Sequence, residues 1–168
     1  MIAALAVQKD ASSPMLSLPR ITAFVALAAL VLGSCAPGAP KGVNKAKLDD
    51  AISRAIGDPA TCVMISEQAT GKLVYRYNSH SACGRSLPSC DGASERTVGD
   101  LITLTLKDGQ SRALSCYTQT DSSRGVGWAS GPLPGKGLVY AAMMEGERSF
   151  PGRMMADRLA RAFRSVGL

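Results

Sequence analysis

The chain has a single imidazole, and this limits catalysis by a base-activated nucleophile. His80 lies between Ser79 and Ser81 and three residues before Cys83. A hydroxyl or thiol nucleophile needs a base within hydrogen-bond reach, and that base must be oriented by a third group. Immediate sequence neighbours rarely reach this geometry, so we expect His80 to face solvent from a loop. The sequence predicts no catalytic residue of the Ser-His-Asp or Cys-His type.

Carboxylates offer a different chemistry. A pair of them held a few ångströms apart in a cleft can act as general acid and base, as in glycoside hydrolysis. Carboxylates such as Asp91, Glu95, Glu145 or Glu147 could form such a pair. A small hydrolase that uses them is therefore an alternative function.

Residues that bind metals do not form a recognisable motif. There is no Cys-x-x-Cys spacing, and only His80 could add a nitrogen ligand. The pairs Met143-Met144 and Met154-Met155 would suit Cu(I), but adjacent strand residues point to opposite faces of a sheet. We expect core packing for these methionines, and we predict neither a metal nor a cofactor.

The C-terminal helical pattern concentrates arginine on one arc, where Asp157 also lies, with an apolar arc opposite. Because a guanidinium presents a fork that fits phosphate oxygens, this arc could contact an anionic ligand or lipid. A solvated helix face is the alternative. The candidate contacts are Arg153, Arg158, Arg161 and Arg164.

An apolar run near the start indicates export. Arg20 leads into about a dozen apolar residues, too few to span a bilayer comfortably, as in a secretory signal. Its ending, Leu32-Gly33-Ser34-Cys35, resembles the lipobox of bacterial lipoproteins. That resemblance implies cleavage before Cys35 and a diacylglycerol on its thiol. Residues 1–34 are then a signal peptide, whose true start is either Met15 or an unusually distant Met1.

Lipidation would fix the location of the domain. Residues 35–43 hold the lipidated cysteine and a Pro/Gly-rich tether, whose eight residues after Cys35 reach roughly 25 Å when extended. The resemblance implies a diacylglycerol membrane anchor in the cell envelope. Ala36 is not the aspartate associated with inner-membrane retention, so we expect the periplasmic face of the outer membrane if the cell has two membranes.

Size and charge restrict the remaining choices. The chain has 168 residues, and without the 34 of the leader the other 134 suffice for one core, with a single domain at 44–168. The net charge is +6, of which Lys9, Asp10 and Arg20 in the leader account for one unit, leaving +5. Basic charge can indicate nucleic-acid binding. An exported domain meets other anions first, and no Lys/Arg run is present, so we predict no nucleic-acid partner.

The remaining cysteines are even in number, which in an oxidising compartment predicts disulfides. Four are left if Cys35 is acylated: Cys62, Cys83, Cys90 and Cys116. Of the three possible pairings we favour Cys83–Cys90 within one loop and Cys62–Cys116 between two strands. Four free buried thiols are the alternative.

The pattern of apolar residues predicts an α+β fold. Helices are expected at 44–56 and 152–166, and a long stapled loop at 78–96. We expect an antiparallel sheet of about five to six strands in sequential hairpins, with both terminal helices packed on one of its faces. The strands are predicted at 61–67, 72–78, 101–107, 112–120, 126–130 and 137–144.

The strand region also resembles a known family. Ala69-Thr-Gly71, Ser123-Arg-Gly-Val-Gly-Trp-Ala129 and Leu138-Val-Tyr140 resemble the sheet of serine β-lactamases and penicillin-binding proteins. That family's Ser-x-x-Lys and Lys-Thr-Gly motifs are missing, and its helical insertion has no room here. The resemblance therefore implies at most a catalytically dead sheet of this type.

The prediction that follows is a non-catalytic binding or accessory module. Its partners would be the membrane, through Cys35, and other envelope proteins, peptidoglycan or anionic lipid. A structural lipoprotein without a specific ligand is a further alternative.

Overall fold

The computed structural model describes residues 37–92 and 94–168, so Cys35 and the leader lie outside the described residues. The helices are α1 (Lys45–Ile56), α2 (His80–Cys83), α3 (Val98–Asp108) and α4 (Gly152–Ser165). The strands are β1 (Thr61–Glu67), β2 (Leu73–Tyr77), β3 (Leu87–Pro88), β4 (Glu95–Arg96), β5 (Arg112–Tyr117), β6 (Gly125–Leu133) and β7 (Leu138–Gly146).

The fold class is α+β, as predicted, but the strand order is not sequential. Five strands form an antiparallel sheet in the order β2-β1-β7-β6-β5, and β3 pairs with β4 separately. The β1–β2, β5–β6 and β6–β7 hairpins occur as expected. The expected hairpin from β2 into the next strand does not occur, because β7 pairs with β1, placing Val63 opposite Ala142.

Residues 101–107, which we predicted as a strand, belong to helix α3. The Thr97 side chain accepts from the Asp100 backbone while the Asp100 carboxylate accepts from the Thr97 backbone, which caps the helix. Gly109 ends it in the left-handed conformation, at φ 67°. The adjacent residues Leu101 and Ile102 are both buried on one face, whereas adjacent residues of a strand point to opposite faces. The apolar residues therefore follow the helical period, and the Leu-Thr alternation was misleading as a strand signal.

The sheet has a core on each face. On the first face, α1 and α4 cover Val63, Ile65, Tyr140, Ala142 and Met144. This confirms that both terminal helices pack on one side. The second face is covered by α3 and by the described residues 78–92 and 94–96, hereafter the crossing segment. It buries Cys62, Trp128, Val139, Ala141 and Met143. The two central strands are therefore buried on both faces.

Helix α4 meets the sheet most closely at its first residue. A Cβ on Gly152 would lie 2.4 Å from the carbonyl oxygens of both Leu114 and Trp128. Across the contact, a Cβ on Gly127 would lie 2.1 Å from the Phe150 oxygen. Only glycine permits this approach, so the two glycines fix where α4 begins against β5 and β6.

Helices α1 and α4 run antiparallel. Arg158 of α4 donates to the Ala55 carbonyl near the end of α1, at 3.2 Å. Ala51, one turn earlier, lines a groove together with Ala162 and Ser165 of α4. The end of α4 therefore lies beside the start of α1.

The segment before α1 packs partly onto the domain. Pro40 is buried, Val43 contacts the first core, and the Val43 N–H donates to the Pro40 carbonyl at 3.0 Å. Ordered contacts thus begin within the segment that the sequence assigned to the tether. Within residues 37–92 and 94–168, no helix has both the length and the apolar character needed to cross a bilayer.

Candidate functional site

The crossing segment passes over four neighbouring strands and is attached at each. Cys83 is bonded to Cys62 of β1, with 2.06 Å between sulfurs. Next, the Arg85 Nη2 donates to Glu145 of β7 at 2.9 Å. The final attachment is Cys90–Cys116 on β5, with sulfurs 2.12 Å apart. Between the Arg85 and Cys90 attachments, the Pro88 carbonyl accepts a hydrogen bond from the indole N–H of Trp128 on β6 at 2.8 Å.

These disulfides correct the predicted pairing. We favoured Cys83–Cys90, closing a small loop, but those two cysteines sit over β1 and β5, at opposite ends of the crossing. Cys62 and Cys116 are likewise separated by β7 and β6 in the sheet. The four cysteines from Cys62 to Cys116 are all paired, which confirms disulfide bonding and excludes the free-thiol alternative.

Glu145 is a buried carboxylate held by two arginines. Its side chain is 4% exposed, and it accepts from Arg124 Nε at 2.9 Å and Arg124 Nη2 at 3.0 Å as well as from Arg85. Hydrogen bonds from Arg124 and then Arg85 keep its pKa below the ordinary value, against the opposing effect of burial. Such a group stays ionised and anchors the crossing segment; it has no spare proton for general acid catalysis.

Of the other candidate carboxylates, Asp91 and Glu95 have partners within the crossing segment, whereas Glu147 lines a pocket together with Glu145. Asp91 accepts from Arg96 Nη2 at 2.6 Å, and Glu95 accepts from Ser86 at 2.8 Å. Glu147 is exposed and, with Asp58, Arg124, Glu145 and Arg148, lines a small pocket of about 210 Å³. His80 is exposed in the first turn of α2, as expected for a solvent-facing residue. Three potential metal ligands do not cluster anywhere in the described ranges.

The four arginines of α4 do not form one cluster. Arg158 stacks on the Phe150 ring, 4.1 Å from its centroid, and donates to the carbonyl of Ala55, so it has a structural role. Arg161 and Arg158 line an open groove of about 380 Å³ against α1. Arg164 lies on the other side of α4, where it lines a second cavity. Arg153 is exposed and lines neither the groove nor that second cavity.

Of the five cavities described, the least open lies between α4 and the sheet, on the side away from α1. Its volume is about 550 Å³, within the range of roughly 300–1,000 Å³ typical of small-molecule sites. We call it the α4 cleft. Its lining residues are Ser111, Arg112, Ala113, Ser130, Pro132, Leu133, Pro134, Tyr140, Ala156, Asp157, Ala160, Phe163, Arg164 and Leu168.

Small residues account for the α4 cleft. Where α4 starts, Gly152 touches the sheet backbone; further along, Ala156 and Ala160 of the helix and Ala113 of β5 are among the residues that line the space. Alanine side chains are too short to fill the gap, and the cavity remains. No sequence pattern that we used could have indicated it, because it depends on which side chains come to line the same space.

Tyr140 is the most unusual polar group in the α4 cleft. It is 8% exposed, packs edge-on against Phe163 at 5.1 Å between centroids, and its hydroxyl has no hydrogen-bond partner among the described residues. Burial, and to a lesser degree the charge of Asp157, raises its pKa to about 12. At physiological pH the hydroxyl is therefore neutral and can donate a hydrogen bond to a ligand.

The two arginines that line the cleft differ in whether an acidic side chain pairs with them. Arg112 donates to Asp108 and is thereby neutralised, and this contact raises the pKa of Arg112. Arg164 is exposed and has no ion pair within the part of the chain that the structure describes. The cleft thus combines apolar side chains with the Tyr140 hydroxyl, the exposed carboxylate of Asp157 and the guanidinium of Arg164. Searches for related proteins found no matching family model, curated protein or solved structure.

Proposed function

We propose that this chain is a lipid-anchored cell-envelope protein that acts as a non-catalytic binding module, with the α4 cleft as its ligand site. The observation that carries the binding role is the enclosed 550 Å³ cavity with a few convergent polar groups. The envelope location rests on the lipobox-like run ending at Cys35 and agrees with two disulfides, which persist in oxidising compartments.

The anchor would place the domain close to its membrane. Two acyl chains on Cys35 give stable attachment. Contacts with the domain begin at Pro40, so the free span from Ala36 reaches about 17 Å at most. In a cell with two membranes, the residue at 36 favours the periplasmic face of the outer membrane. Peptidoglycan, envelope proteins and anionic lipid are then within reach.

Intact mass of the membrane-extracted protein tests the location. We expect a chain that begins at a diacylated Cys35 and gains four protons on reduction. The Cys35→Ser variant should keep both disulfides but lose the lipid mass. An uncleaved, unlipidated wild-type chain would refute the anchor.

A small envelope hydrolase is the second candidate, because Glu147 is exposed beside Arg148 in the charged pocket. If the protein is such a hydrolase, the purified protein should release soluble fragments from peptidoglycan, and Glu147→Gln should abolish the release. Equal release by wild type and variant, or none by either, would reject this role for Glu147.

A further inference from the structure

We infer that the α4 cleft binds a single acyl chain, with the carboxyl or ester group of that chain placed between Tyr140 and Arg164. The inference deepens the proposed binding function, because it names the ligand class of the same cavity.

The lining selects an apolar chain. Along the cavity the side chains are mainly alanine, proline, leucine and phenylalanine, among them Leu133, Ala160 and Phe163. Each methylene removed from water against these side chains adds favourable free energy, and the polar lining residues Ser111, Asp157 and Arg164 leave contacts for only part of a ligand.

Tyr140 supplies a polar contact inside the apolar part. Its hydroxyl makes no hydrogen bond to the described residues and is not among their buried unpartnered atoms, which are Arg96 Nη1 and Thr118 Oγ1, so it is open to water in the cleft. A ligand that displaces this water must replace its hydrogen bond. A ligand carbonyl or carboxylate oxygen would accept its hydrogen bond. An unsubstituted hydrocarbon would leave it unpaired, so the cavity favours a chain that carries an acceptor.

Charge at the rim places the head group. Arg112 is occupied by Asp108, and Asp157 repels an anion from the middle of the helix. Arg164, nearer the end of α4, is the available cation. A carboxylate or phosphate is therefore directed to the end of the cleft formed by Arg164 and Leu168.

The same end of the domain receives the N-terminal segment. Because α1 and α4 are antiparallel, Leu168 and Val43 lie toward one end, and both contact the first core. If Cys35 is anchored as proposed, that end lies nearest the bilayer, where acyl chains are abundant.

Photocrosslinking can test this with the full-length protein in neutral phospholipid vesicles. One sample receives a diazirine-bearing long-chain fatty acid, and a parallel sample receives a diazirine-bearing anionic phospholipid. After irradiation, mass spectrometry locates the adducts. We expect them in residues 130–134 or 156–168; labelling by the first probe alone indicates a free fatty acid, and labelling by the second indicates a membrane lipid.

Variants give the controls. Ala160→Phe fills the cleft and should reduce labelling about tenfold, whereas Ala46→Phe, on the exposed face of α1, should not. Tyr140→Phe keeps the ring and should weaken binding about three- to tenfold through the lost hydrogen bond. Arg164→Ser should weaken it more than Arg153→Ser on the same helix.

Adducts confined to other segments, or adducts unchanged in both Ala160→Phe and Tyr140→Phe, would overturn the inference. Formation of both disulfides, checked by mass, verifies that each variant folds. If the wild-type chain carried no lipid on Cys35 but its cleft were still labelled, the result would support the inference and refute the anchor. Failure of the acyl-chain inference and failure of the proposed anchor are therefore distinguishable.

Discussion

The two faces of one sheet are covered in different ways. On the second face, the crossing segment is attached in turn to β1, β7, β6 and β5 by a disulfide, an ion pair, a hydrogen bond and a second disulfide. On the first face, α4 touches the sheet backbone at Gly152 and leaves a cavity further along. A cover attached at every strand leaves no comparable cavity among the pockets described, whereas a helix that packs through one stripe of buried side chains leaves room for a ligand beside that stripe.

Removing a disulfide should have the largest effect on the second face. Cys90–Cys116 spans 26 residues, and the chain-entropy argument gives it about 3.5 kcal/mol of stability. We expect the double variant Cys90→Ser/Cys116→Ser to lose about that much free energy of unfolding in urea titrations. The control is Cys35→Ser, which removes a cysteine outside both bridges and should leave stability unchanged. A loss below about 1 kcal/mol would contradict the role of the crossing segment as a fixed cover.

The cysteine pairing could not be predicted because it depends on topology. The sequence correctly indicated β1, β2, β5, β6, β7 and both terminal helices, since their periodicity is local. It could not indicate that β7 pairs with β1, which is a contact between distant segments. Without that pairing, the route of the crossing segment and hence the neighbours of Cys83 and Cys90 were unknown.

A methyl group at the start of α4 should have the next largest effect. In Gly152→Ala the new Cβ would lie 2.4 Å from two carbonyl oxygens, so the helix must move away from β5 and β6. Overpacking of this kind costs about 2 kcal/mol or more. Gly99→Ala is the matched control, because it lies in the first turn of α3 with its nearest neighbour at 3.4 Å. We expect thermal unfolding to show Gly99→Ala unchanged or more stable; equal losses would refute the close contact.

Neutralising Glu145 tests the ion pair in the crossing. Its pKa in the folded protein is below the ordinary 4.5, so its contribution to stability is present above that pH and is lost as the pH falls through the folded value. Glu145→Gln should cost about 1–2 kcal/mol near neutrality, a modest value because both arginines are 39% exposed. Below pH 4.5, urea titrations should show the gap between variant and wild type closing. A gap independent of pH would mean that packing, not charge, explains the loss.

The candidate site was less predictable than the fold. Arg164 was predicted as a possible anion contact, but the predicted arginine arc does not face one site, because Arg158 and Arg161 line a groove on one side of α4 and Arg164 lines the cleft on the other. Tyr140 received no functional weight, because alternation in β7 indicates only that it faces a core. That Tyr140 also lines a cleft depends on which side chains of β5 and α4 lie next to it, and this is a property of the packed structure.

The smallest effect on stability is expected on the first face, where α4 leaves a cavity. The same change, alanine to leucine, made once on each face measures the difference in packing. Ala141 on β7 is fully buried against the second core, so Ala141→Leu should cost about 1–3 kcal/mol of unfolding free energy by overpacking. Ala160→Leu projects into the α4 cleft, where there is space, and should change stability by less than about 0.5 kcal/mol. Urea titrations of both variants provide the measurement. If Ala160→Leu were as damaging as Ala141→Leu, the first face would be packed as tightly as the second and the cleft could not admit a ligand.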